Sequence, residues 1–130
     1  MAENPTPSLL LGQSFPLPDG LRVRLRLART TDVDTIAELF SRRGQPVNQD
    51  DLKAGRVVQF DPRRRYVLCA TALIDSAERL VGVGAIDLDP HEVGEPDLLV
   101  FDPSVGAPVG ELLWNALVSA AEVTSRDRAA

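Results

Sequence analysis

The side chains that could do chemistry in this sequence are few and unevenly placed. Cys69 is the one cysteine. A thiolate there could attack an electrophile, but Cys69 lies inside the apolar run 66–74 and no histidine is near it in sequence. It reads as a small buried hydrophobe and cannot form an intrachain disulfide. His91, the one histidine, has Asp87, Asp89 and Glu92 around it. One imidazole among solvated acids is a poor zinc site, so no metal is expected. Arg22, Arg24 and Arg26 alternate with Leu21, Val23, Leu25 and Leu27. That pattern is a half-buried strand with its basic face in solvent, a reading preferred over an anion site.

Charge is divided along the chain. Of the 14 Lys and Arg residues, 12 lie at or before Arg79, and none occurs from Leu80 to Ser125. The latter stretch holds Asp87, Asp89, Glu92, Glu95, Asp97, Asp102, Glu111 and Glu122. With a net charge of -5 the chain is not expected to bind nucleic acid. No apolar run approaches the roughly 18 residues of a spanning helix, and the N-terminus lacks the pattern of a signal peptide, so a membrane role is not expected. The lone cysteine and this balance fit a cytoplasmic setting.

The elements that must position these residues follow from periodicity. Residues 1–20 contain Pro5, Pro7, Pro16 and Pro18 and form a Pro-rich N-terminal arm, ending in Pro-Asp-Gly turn chemistry. Residues 21–125 are one domain, with 126–130 a C-terminal tail. After the first strand, Thr30, Thr31 and Asp32 supply a helix start. Val33, Ile36, Ala37 and Phe40 recur at helical spacing with Leu39 beside them, and Arg42, Arg43 and Gly44 close the helix. Asn48 to Asp51 can cap a short helix through Val58. Residues 66–74 and 80–88 form a hairpin about a loop at 75–78. Gly82 and Gly84 predict close approach of a helix or another backbone. Residues 98–101 make a short strand, 102–109 a loop, and 110–123 a second helix lined by Leu113, Ala116, Leu117 and Ala120, with Trp114 off that stripe. The expected class is α/β (α+β): a mixed, mostly antiparallel sheet with flanking helices.

Three segments in this order resemble the GNAT acetyltransferase superfamily. Arg26-Leu27-Ala28-Arg29-Thr30-Thr31-Asp32 is similar to its R-x-A-x-x-x-D junction. Leu80-Val81-Gly82-Val83-Gly84 is similar to its third strand. Residues 99–117 resemble the strand, glycine loop and helix that hold a pyrophosphate. The resemblance covers about 21–122, so the fold it implies is an incomplete GNAT-like one.

The resemblance implies acetyl-CoA as cofactor, held by Val100, Val105, Gly106, Ala107, Val109, Gly110 and Glu111. It also implies a general base at the start of the fourth strand, where Glu95 and Asp97 stand. The chain departs from the family pattern at Val105, where Gln or Arg is usual, and at Pro108, which has no N–H for a phosphate. It also ends shortly after the helix, before the family's remaining strand and tyrosine-bearing helix. The expectation is a degenerate, non-catalytic module that forms a homodimer or takes a protein partner through a sheet edge. The alternative is an acetyl-CoA-dependent N-acetyltransferase with its cleft completed by a second subunit.

Overall fold

The computed structural model describes residues 14–17, 20–44, 64–88 and 94–129, with side chains followed through Val123. In order these are β1 (Ser14–Pro16), β2 (Arg22–Leu27), a 3-10 turn (Thr30–Asp32), α1 (Val33–Arg42), β3 (Arg65–Ile74), β4 (Ala77–Asp87), β5 (Leu98–Phe101) and α2 (Ala107–Ala129). The strands form one five-stranded sheet in the order β1-β2-β3-β4-β5. Every pairing is antiparallel, so the sheet is a meander rather than mixed. The class is α+β.

Alternation along each strand sends one set of side chains to each helix. On one face Val23, Leu25, Leu68, Ala70 and Ile86 pack with Val109, Leu113 and Leu117 of α2. On the other Val67, Cys69, Val83, Ala85 and Val100 pack with Val33, Ile36, Leu39 and Phe40 of α1. The residues buried on α1 are those its helical spacing predicts, and Gly44 at φ +75 ends it.

Four boundaries differ from the sequence expectation. Residues 14–16 leave the arm to pair with β2, with Ser14 opposite Arg24 and Phe15 opposite Val23. The hairpin turn is only Asp75-Ser76, both at positive φ, and β4 begins at Ala77 rather than Leu80. Those angles match a type I′ turn, whose twist suits the flanking strands. The second helix starts at Ala107, because Pro108 sits in the first turn, where no N–H is needed. That helix also continues through the expected tail. The short helix expected at 48–58 and the arm before Ser14 lie outside the described residues.

Gly82 and Gly84 face α2, as their spacing predicts. A Cβ on Gly82 would lie 2.9 Å from Leu113 Cδ1 and from Val109 Cγ1. One on Gly84 would lie 2.8 Å from Leu117 Cδ1 and 3.3 Å from the Leu98 carbonyl. Beside this strip Val81 is an extra residue, since Ala70 opposes Gly82 while Thr71 opposes Leu80. A bulge of this kind bends the strand around the helix it packs against.

Candidate functional site

Of the three segments of the GNAT resemblance one lies within β4 and the other two fold into strand-to-helix junctions, both built mainly from internal contacts. At the first, Arg26 reaches Asp32 with two bonds of 2.8 Å, and the Arg29 N–H donates to the same carboxylate at 2.7 Å. Burial by itself would raise the Asp32 carboxyl. The Arg26 guanidinium and Arg29 N–H outweigh that and hold it below the usual carboxylate range. Asp32 therefore turns back toward the strand rather than capping α1. Arg26 is half-buried and paired, a correction to the solvated-face reading, while Arg22 and Arg24 are exposed.

At the second junction, the Asp102 N–H donates to the Val81 carbonyl at 2.8 Å. The Asp102 carboxylate accepts from the Ser104 N–H at 3.0 Å, which keeps its carboxyl low together with the Ser104 hydroxyl and Arg42. Arg42 lies 3.3 Å from Asp102 and donates to the Leu80 carbonyl at 3.1 Å. Gly106 adopts φ +68, a conformation L side chains resist, and the chain then enters α2. A Cβ on Gly110 would meet the Phe101 ring at 2.8 Å, so this glycine admits a ring against the helix.

The residues implied as cofactor-binding disperse. Val100 is buried against α1, and Val105 and Val109 are buried against the sheet under α2. Ala107, Gly110 and Glu111 do come together. With Leu99, Phe101, Trp114 and Asn115 they line an open groove of about 500 Å³ between β5 and the first turns of α2. Leu99 and Phe101 are the residues the sequence reading missed here. Their two-residue spacing on a short strand was the available signal, since it puts them on one face.

The implied general bases sit at the other end of β5. Both oxygens of Asp97 accept from Arg65, which also bonds Asp87 at 2.7 Å. The Asp97 bonds, the largest influence, together with Asp87 raise the Arg65 guanidinium against its burial. Glu95 is exposed. Arg65 therefore clamps β3, β4 and the start of β5, and among the described residues Arg42 and Arg43 reach the glycine-loop end. The Arg43 guanidinium stands 5.3 Å over the Phe101 ring.

Cys69 is fully buried, and desolvation pushes its thiol up to about 12, as expected of an inert core residue. Asp89, His91 and Glu92 lie outside the described residues. Among the described residues no group of three His, Cys, Asp or Glu is placed to hold a metal, and no helix is long and apolar enough to cross a membrane.

Chemically, the groove offers apolar contact from Leu99, Phe101 and Trp114, an amide at Asn115 and a carboxylate at Glu111. Trp114 is 37% exposed although most large apolar side chains of α2 are buried. β5 pairs only with β4 among the described residues. Antiparallel alternation, with Asp102 bonded toward β4, directs the N–H and C=O of Leu99 and Phe101 outward. Comparison of the chain with protein families, curated proteins and solved structures finds no match.

Proposed function

We propose that this chain is a non-catalytic interaction module, GNAT-like in architecture, that pairs with a second copy of itself along β5. The observation that carries this reading is the coincidence of an open strand edge with the apolar Leu99–Phe101–Trp114 groove. Unpaired backbone groups give a strand direction and register, while the aromatic groove supplies the burial that a four-residue strand cannot. A two-fold axis through β5 would bring the same edge of each copy together, the usual closed arrangement of homodimers.

The acyltransferase reading, with acetyl-CoA as cofactor and a second subunit completing the cleft, has one observation in its favour: the groove ends at the first turn of α2 beside Gly106. Three features weigh against it. Glu111 puts a negative charge at the groove, Pro108 removes a donor from the first turn, and Val105 is buried where a polar side chain would face the phosphates.

Trp114→Glu separates the readings. In sedimentation equilibrium the wild type should be a dimer with micromolar dissociation, and the variant a folded monomer weakened at least tenfold, about 1.4 kcal/mol. A wild type that stays monomeric at about 100 μM, well above a micromolar dissociation constant, sinks the interaction reading. Saturable binding of acetyl-CoA in calorimetry would instead favour the transferase. Val100, the edge residue that the strand sequence offers for such a test, faces α1 and would report on the core instead.

A further inference from the structure

We propose that the face of β2 beyond the reach of α1 is a binding site for a small oxyanion, the phosphate or carboxylate group of a ligand. On this face α1 packs over Val67, Cys69, Val83, Ala85 and Val100. Past it the sheet carries a shallow cavity of about 280 Å³ lined by Ser14, Arg22, Arg24, Thr71, Leu73 and Glu78. Pairing fixes the layout. Ser14 opposes Arg24 and Arg24 opposes Thr71, so hydroxyl, guanidinium and hydroxyl form one row across three strands, spanning about 10 Å. Arg22 stands two residues before Arg24 on the same face, about 7 Å away.

Pairing elsewhere in the molecule makes these arginines distinctive. Arg26, Arg42 and Arg65 each bind an aspartate. Arg22 and Arg24 are exposed and have no hydrogen-bond or ion-pair partner among the described residues. Thr71 lines the same cavity, and its hydroxyl likewise has none. No buried side-chain polar atom lacks a partner among the described residues, so this hydroxyl is open to solvent, and an oxyanion could accept from it and from Arg24 together. Glu78 opposes Leu73 and also lines the cavity, so its carboxylate works against an anion and the two guanidinium groups must outweigh it. Two unpaired guanidinium groups on a sheet face, in a protein of net charge -5, form a local positive site against an acidic background.

The test is an NMR titration of the full chain with inorganic phosphate at constant ionic strength, followed at the arginine Nε–H and Thr71 amide signals. Saturating shifts at Arg22, Arg24 and Thr71 in the millimolar range are expected, weakened about tenfold in Arg24→Gln and unchanged in Arg79→Gln. Acetate in place of phosphate tells a carboxylate ligand from a phosphorylated one, and saturation by either supports the site. Shifts that grow linearly without saturating for both anions, or that are the same in Arg24→Gln, overturn it and leave a solvated arginine face. The exposure of Arg24 makes its variant a safe one to fold, and an unchanged thermal midpoint verifies this.

Discussion

The two strand-to-helix junctions do the same mechanical task by different means. Between β2 and α1 the chain is held by charge: Arg26 and the Arg29 N–H converge on one buried carboxylate, Asp32. Between β5 and α2 it is held largely by shape: Gly106 takes a positive φ and Gly110 clears space for the Phe101 ring. The second junction also ties its carboxylate, Asp102, to Ser104 and Arg42. At the second junction Val105, Val109 and Gly110, which the resemblance implies for phosphate binding, are engaged in contacts of the fold. Open surfaces beside the junctions include the β5 groove and the β2 face.

The largest expected effect comes from cutting the charged junction. Asp32→Asn leaves Arg26 half-buried without its anion and should cost about 2–3 kcal/mol in urea unfolding at neutral pH. Because the folded carboxyl is held below its ordinary value, this stabilisation is fully present above about pH 4. It is lost as pH falls through the lower, folded value. Wild type and variant should therefore converge in stability under strong acid, and a difference that persists there would break the electrostatic account.

Gly110→Ala tests the shape-based junction by its sign. Helix propensity alone favours Ala over Gly by up to about 1 kcal/mol. The ring contact at 2.8 Å opposes it, and a net loss of about 1 kcal/mol is expected in the same unfolding assay. A stabilised variant would mean that the ring moves aside freely and that Gly110 is kept for another reason. Asp102→Ala removes the Ser104 bond and the Arg42 partner and should cost about 1 kcal/mol, also from thermal or urea midpoints. Smallest of all for folding is Trp114→Glu, expected to shift stability by less than about 0.5 kcal/mol while dissociating the proposed dimer.

Legibility followed locality. The helical spacing of Val33, Ile36, Ala37 and Phe40 identified the buried face of α1, and Gly82 and Gly84 announced a close approach, by a helix or another backbone, that α2 supplies. The start of α2 was misplaced because Pro108 reads as a breaker unless its position in the first turn is known. The three-residue β1 was missed since Ser-Phe-Pro has no periodicity to read and exists as a strand only through pairing with β2. At the candidate site, Trp114 was visible as an apolar residue off its helix stripe. The joining of Leu99, Phe101 and Trp114 into one groove was not, because that depends on how α2 crosses the sheet.

Sequence pattern alone determined the strands and helices of the core, the burial of Cys69 and the division of charge between the two halves. Those follow from period, composition and the cost of burying polar groups, which act over a few residues. Tertiary structure alone decided which charges meet. It set Arg26 on Asp32, Arg65 between Asp87 and Asp97, and Arg42 on Asp102, while leaving Arg22 and Arg24 open. The physical reason is distance: Coulomb and hydrogen-bond terms depend on separations of a few ångströms in space, and the Arg65–Asp97 contact spans 32 positions of sequence.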